Sequence, residues 1–202
     1  MSRSGEGDLR FVIVTTNMGK AEEFQKIFER YGLKFRVEQL ATIEIQSMDL
    51  REIAKHRVLH AYNVLREPVM VEDAGLFVEA LGGFPGPFSS YVFRTIGIKG
   101  ILKLMEGVRD RRAQFRSAIA FYSPLTEPVK IFTGEVSGWV AEEPRGTKGF
   151  GFDPIFIPAE GDGRTFGEMD VEEKNAFSHR ARAAMRFAEW ISKLRGVAPP
   201  YR

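Results

Sequence analysis

Residues 9–15, Leu-Arg-Phe-Val-Ile-Val-Thr, are a short, mostly apolar run rich in β-branched side chains, and the chain turns straight from it into a helix pattern. Such a run suits a strand buried on both faces, which needs cover from helices on each side. Asn17 is a good N-cap, and Phe24, Ile27, Phe28 and Tyr31 follow at i, i+3, i+4 and i+7 as one face of an amphipathic helix. The alternation repeats. A second helix follows Asp49, with Glu52 at capping-box spacing and Leu50, Ile53, Ala54, Val58, Ala61 and Leu65 as its apolar stripe. Pro68 ends it, and residues 69–71 read as another buried-type strand. Residues 97–106 read as a short helix, and 113–123 and 128–141 as two long strands around a Pro/Thr turn. Residues 152–157 read as a further strand, and the last helix runs from about 178 to 194 with Ala181, Ala184, Met185, Ala188, Ile191 and Leu194 inward. Early strand–helix alternation with a central hairpin predicts an α/β fold built on a mixed sheet.

Composition narrows the function by exclusion. With 29 Lys plus Arg against 27 Asp plus Glu, the 202 residues carry a net charge of only +2, which excludes nucleic-acid binding through bulk charge. The absence of cysteine excludes disulfides, zinc–thiolate and iron–sulfur sites and a thiol nucleophile; it fits a cytoplasmic protein. No stretch approaches the roughly 20 apolar residues of a membrane span. Residues 1–8 read as a flexible lead without a signal-type apolar region, 9–196 as a single domain and 197–202 as an irregular tail.

Four constellations could carry chemistry. Thr15-Thr-Asn-Met-Gly-Lys20 sits where a buried strand becomes a helix, so free N–H groups, short donors and a lysine could receive phosphate; alone, a plain capped helix explains it as well. Val71-Glu-Asp-Ala-Gly75 places two adjacent acids at a strand end. Their side chains point to opposite faces, and one could hold a metal or orient a water; the alternative is a solvated turn. The stiff loop with Gly82, Gly83, Pro85, Gly86 and Pro87 beside the acids weakens that alternative. Gly146-Thr-Lys-Gly-Phe-Gly-Phe-Asp-Pro154 lets backbone and an aromatic face approach a flat ligand, or is a bulge with core aromatics. Glu172-Glu-Lys-Asn-Ala-Phe-Ser-His-Arg180 clusters donors at a helix start, where Ser178 is also a natural N-cap. His56 and His60, at i and i+4, read as a surface pair for want of a third ligand. Arg109, Arg111, Arg112 and Arg116 form a local basic run that could touch phosphate or RNA.

Together these motifs resemble the inosine/xanthosine triphosphate pyrophosphatase family, most of all its archaeal branch. The resemblance runs from Thr15 to about Ala188 through Thr-Thr-Asn-x-x-Lys, Val-Glu-Asp-x-Gly-Leu, Ala-Leu-Gly-Gly-x-Pro-Gly, Gly-Phe-Gly-Phe-Asp-Pro and Glu-Lys-Asn-x-x-Ser-His-Arg, in that order. It implies an elongated, two-lobed α/β fold with a central mixed sheet and the site in the cleft between lobes. It implies Mg²⁺-dependent hydrolysis of ITP, dITP and XTP between the α and β phosphates, and a homodimer. By position, Thr15, Thr16, Asn17, Lys20 and Arg57 would hold the triphosphate, with Ala74, Gly151 and Phe152 also on the substrate. Glu44 and Asp73 would be metal ligands. Asp73 would be the central catalytic carboxylate, with Glu72 beside it and Lys20 assisting. Phe150 would stack on the base, and Asp153, Lys174, Ser178, His179 and Arg180 would recognise the purine edge.

Two positions depart from the family pattern. Arg57 stands where a lysine is frequent, keeping the charge but changing the phosphate geometry. Ser90 stands where a basic residue is common, with Arg94 nearby as a substitute. The implied chemistry is physically coherent. Four phosphate charges need neutralising before water reaches phosphorus, and a donor-lined pocket favours a C6 carbonyl over an amino group by as much as about 10⁴-fold. The rival readings are a septum-formation-type pyrophosphatase with another base preference, a non-catalytic nucleotide sensor, and an RNA-binding module using the arginine run.

Overall fold

The computed structural model describes residues 10–194; the expected lead and tail, with the ends of the expected domain, lie outside them. Six strands form one mixed sheet in the order β2-β1-β3-β4-β5-β6. They are β1 (Phe11–Val14), β2 (Phe35–Glu38), β3 (Val69–Val78), β4 (Arg112–Tyr122), β5 (Lys130–Val140) and β6 (Phe156–Pro158). β1 runs parallel to β2 and β3, whereas β3 to β6 are successively antiparallel. The helices are α1 (Met18–Glu29), α2 (Leu50–Leu65), α3 (Ser89–Thr95), α4 (Gly97–Leu104), α5 (Val171–Asn175) and α6 (His179–Leu194).

Alternation along the strands decides which helix each side chain meets. Phe11, Ile13, Met70, Ile119 and Phe121 pack with α1 and α6 through Phe24, Phe28, Ala184 and Phe187. Val12, Val14, Val69, Val71, Ala118 and Ala120 face the opposite way, onto Ala54, Val58 and Ala61 of α2. Further along β3, β4 and β5, Leu76, Val78, Phe115 and Val136 join Val92, Ile101 and Phe156 in a third cluster. The buried strand β1 is thus covered on both faces, as its composition requires.

Most long elements fall where periodicity places them. β3 is the main correction. Residues 69–71 are only its start, because all ten residues pair with β4, from Val69↔Tyr122 to Val78↔Ala113. That ladder overrides the weak strand propensity of Glu72, Asp73, Ala74 and Gly75. The acids therefore sit in mid-strand, not in a turn. The segment expected as a strand over 152–157 is a turn over Asp153–Ile155 followed by three strand residues. β2, α3 and α5, of four, seven and five residues, are too short for periodicity to reveal. At α2 the Asp49 carboxylate caps Arg51 N, while Glu52 accepts from Ser47 Oγ at 2.6 Å instead of closing a capping box.

The basic run divides: Arg111 is taken up by the fold, whereas Arg109, Arg112 and Arg116 are exposed. The Arg111 guanidinium donates to the carbonyls of Val140 (2.7 Å), Ala141 (2.6 Å) and Met105 (3.2 Å). Arg112 pairs with Asp110, and Arg116 lies 4.5 Å from the Phe77 ring centroid. No described helix is long and apolar enough to cross a membrane.

Helix α6 lies so close to β5 that a Cβ on Gly134 would sit 2.1 Å from His179 O and 2.6 Å from Ala183 N. Gly134→Ala should therefore destabilise the protein by about 3 kcal/mol, read as a lower urea midpoint at unchanged m-value. An unaltered midpoint would contradict that contact.

Candidate active site

β1 stops at Val14 and pairs with β3 only through Val12↔Val69 and Ile13↔Met70, while β3 runs on to Val78. The β3 edge beyond Val71 is left without a strand neighbour on that side, and a cavity of about 290 Å³ opens there. Because Glu72–Gly75 form its wall at an edge, side chains from both faces of the sheet reach it. The lining brings together Thr15, Thr16, Asn17, Lys20, Glu44, Arg57, Glu72, Asp73, Ala74, Phe150, Gly151, Phe152, Asp153, His179 and Arg180. Of the expected site residues, only Lys174 and Ser178 are missing from it.

The N-terminus of α1 forms one end. Asn17 Oδ1 accepts from Lys20 N at 3.3 Å, and Thr15 Oγ1 accepts from Asn17 N at 3.1 Å. Lys20 Nζ turns back to the strand, 2.7 Å from Glu72 Oε2 and 3.3 Å from Glu72 O. The two neighbouring acids then live in different surroundings. Glu72 is fully buried and also receives Ser117 Oγ at 2.7 Å and Arg180 Nε at 3.1 Å. Burial alone would raise its pKa, but the Arg180 and Lys20 charges and these hydrogen bonds win and hold it at about 2. Asp73 points the other way, to Arg57 Nη1, and its Oδ2 is buried without a partner. For Asp73 burial dominates over the Arg57 and Lys20 charges, and its pKa is raised above the ordinary 3.8. One acid is thus locked as an anion and the other keeps a free, more basic oxygen.

Arg57 also donates to Thr42 Oγ1 at 2.7 Å and lies 3.5 Å from Glu44 Oε1. Glu44 is well exposed on the irregular segment between β2 and α2. A hard cation fits here. The uncommitted Asp73 oxygen and the nearby Glu44 carboxylate offer all-oxygen ligands of the kind Mg²⁺ takes, alongside phosphate oxygens. No cluster of three or more His, Cys, Asp or Glu metal ligands occurs among the described residues. Of the expected surface pair, His56 is exposed, whereas His60 is half-buried with its Nδ1 buried and unpartnered.

The opposite end is aromatic. The His179 ring stacks on Phe115 at 4.7 Å and 11°, is 2% exposed, and has an unpartnered Nδ1. Burial, then the Arg180 and Lys174 charges, drive its pKa well below the usual 6.5, so the imidazole is neutral at pH 7. Phe150 lies with Lys174 Nζ and the Arg180 guanidinium 4.9 and 5.2 Å from its ring centroid.

Four expected base-edge residues have structural partners, Arg180 through Glu72 and Glu23 among them. Lys174 is buried, with Nζ 2.6 Å from Asp153 Oδ2 and 2.8 Å from Glu23 Oε1. Asp153 Oδ2 also accepts from Phe150 N at 2.9 Å, closing the turn that carries the ring. Ser178 is the N-cap of α6, accepting from Ala181 N at 3.2 Å. Ser90 lines the cavity, but Arg94, its expected substitute, is absent from the lining and donates to the Ser90 carbonyl at 3.3 Å.

The sequence reading missed several contributors. Glu23, buried on α1, pairs with Arg180 at 2.6 Å as well as with Lys174. Its position on the inward face of a helix was legible, but an acid on that face carries no motif. Ser117 and Phe115 come from β4, where only strand register places them. Ser89 Oγ accepts from Leu76 N at 2.8 Å and donates to Gly86 O at 2.7 Å, tying the glycine–proline loop to β3. Gly75 is glycine because a Cβ there would lie 2.1 Å from Gly86 O.

Comparison with known proteins gives one consistent answer. The Ham1 family model matches residues 11–190. The chain is 51% identical over 189 residues to a dITP/XTP pyrophosphatase of Hyperthermus butylicus, covering 94% of this chain and 96% of that protein. It is also 51% identical over 182 residues to a dITP/XTP pyrophosphatase of Methanopyrus kandleri, covering 90% and 96%. Among solved structures, a HAM1 protein from Coxiella burnetii superposes with a TM-score of 0.80 at 31% identity, covering 92% of this chain and 99% of that one. The Staphylococcus aureus Ham1 protein gives a TM-score of 0.77 at 30% identity, with the same coverage.

Arg180→Met removes the cation shared by two buried carboxylates and should cost about 3–5 kcal/mol at pH 7. Glu72 in the wild type contributes stability that is complete above its ordinary pKa of 4.5 and fades as pH falls toward about 2. The gap between variant and wild type should therefore narrow below pH 4.5 in denaturation curves. A gap independent of pH would show that the lost stability is packing, not charge.

Proposed function

We propose, because the chain belongs to the Ham1 family and its cavity pairs a locked anion with a second, freer carboxylate, that it hydrolyses dITP, ITP and XTP to the monophosphate and pyrophosphate. The observation that carries this reading is the divergence of Glu72 and Asp73. Adjacent in one strand, they face different partners, so one can organise cations while the other serves the reacting water.

The phosphates would lie at the N-terminus of α1. There the Thr15 and Thr16 hydroxyls, the Asn17 side chain and the unpaired N–H groups of the first helical turn are neutral donors. Lys20 adds a positive charge beside them. Arg57 is poised between Asp73 and Glu44, within reach of the same oxygens. Glu44 and Asp73 would hold Mg²⁺, which would neutralise phosphate charge and polarise the anhydride. Asp73 would also orient the attacking water, one carboxylate oxygen serving the ion and the other a water proton once Arg57 turns from it to the phosphates. Glu72 keeps Lys20 and Arg180 in place and, being firmly ionised, does not compete for that proton.

The base would stack on Phe150. The neutral His179 ring offers one N–H donor and one acceptor, held flat by Phe115. A hypoxanthine or xanthine C6 carbonyl can receive that donor, whereas an adenine amino group cannot. Lys174 and Asp153 act here by fixing the Phe150 turn, and Ser178 by starting the helix that presents His179 and Arg180. A homodimer completes the proposal, as the family resemblance implies.

Incubation with Mg²⁺ and dITP, XTP, dATP or dGTP should release pyrophosphate, not orthophosphate, with dITP and XTP far ahead of dATP. Orthophosphate as first product, or binding without turnover, would overturn the reading in favour of a different hydrolase or a sensor. Asp73→Asn should lower kcat by roughly 10²–10⁴-fold while the circular-dichroism spectrum stays native; near-normal turnover would remove Asp73 from the chemistry. His179→Ala should shrink the dITP-over-dATP ratio of kcat/KM by roughly tenfold or more, and an unchanged ratio would take His179 out of base recognition.

A further inference from the structure

Gly19 sits in the first turn of α1, between Asn17 and Lys20, and no backbone requirement explains it. Its φ is not in the left-handed region where glycine is needed. Inside a helix glycine is less favourable than alanine. The reason for glycine lies in what stands against it. A Cβ at this position would lie 2.5 Å from Cδ1 and 2.9 Å from Cε1 of Phe150, and 3.2 Å from Asn17 Oδ1.

Phe150 is half-buried, tied at its backbone and backed by two cations. Its backbone N–H is held by Asp153 Oδ2, between two glycines with φ of +71° and +62°. Lys174 and Arg180, themselves buried and paired, lie against the ring. Restoring ordinary carbon–carbon contact would move the ring by about 1 Å, and away from the cations that back it the ring borders the cavity.

We propose that Gly19 is a positioning residue for the base: its missing side chain is the seat of the Phe150 ring, and any side chain there pushes the ring into the space a purine must occupy. The proposal rests on the reading of Phe150 as the stacking partner. It also links the two ends of the site, because the residue that seats the base-stacking ring lies in the same helical turn that receives the phosphates.

The test compares wild type, Gly19→Ala, Phe150→Leu and the double variant. Steady-state kinetics with dITP and Mg²⁺, inhibition by inorganic pyrophosphate and thermal midpoint are measured for each. Gly19→Ala should raise KM for dITP by about tenfold, the scale of one lost base stack, with kcat and pyrophosphate inhibition little changed. Its thermal midpoint should be unchanged or higher, since alanine favours the helix. The double variant should bind dITP no worse than Phe150→Leu alone, because both changes remove one interaction. A wild-type KM in Gly19→Ala would overturn the proposal. So would an equal weakening of pyrophosphate inhibition, which would mean that the helix end and not the ring is disturbed. A normal KM in Phe150→Leu would instead overturn the stacking role of Phe150, and the role of Gly19 with it.

Discussion

A chain of alternating charges runs through the interior, and the site is built on it. Lys20, Glu72, Arg180, Glu23, Lys174 and Asp153 follow one another in contact, three cations and three anions, with every member except Lys20 almost wholly buried. No single pair would survive such burial on Coulomb attraction alone. Each internal member here has a partner on both sides, so the desolvation cost is shared across a neutral whole. The geometric consequence matters more than any stability gained. The charges tie α1, β3, α5, α6 and the turn at Asp153 together, and set the α1 end of the cavity and its Phe150–His179 end at a fixed separation.

Strand alternation then gives two adjacent acids opposite duties. Glu72 faces α1 and α6 and is absorbed by the charge chain. Asp73 faces α2, meets only Arg57, and keeps an uncommitted oxygen. The same two residues in a turn would both be solvated and ordinary carboxylates. The ten-residue pairing of β3 with β4 makes them different, and the early end of β1 lets both reach the same cavity.

Much of this was legible in the chain. The strand at 11–14, the helices after Asn17 and Asp49, the hairpin around Pro124 and the last helix follow from period and capping, which are local and repeat over many residues. The site motifs were legible as well, in the sense that most of the expected residues line one cavity. Roles were less legible than membership. Lys174 and Ser178, expected at the purine edge, turn inward to hold Asp153 and to cap α6. A lysine or serine at a helix boundary looks the same in sequence whether it meets a ligand or a buried partner.

What the amino-acid sequence determined by itself was the α/β class, the absence of thiol chemistry and the order of motifs, because each depends on residue type and near-neighbour spacing. The tertiary structure alone decided that β3 runs on past its acids, that Glu23 belongs to the site, and that Gly19 is the seat of Phe150. Those outcomes depend on contacts between segments separated by tens of residues or more. No period or cap encodes such contacts, and they exist only once the sheet has set β3 beside β4 and the helices have closed over its edge.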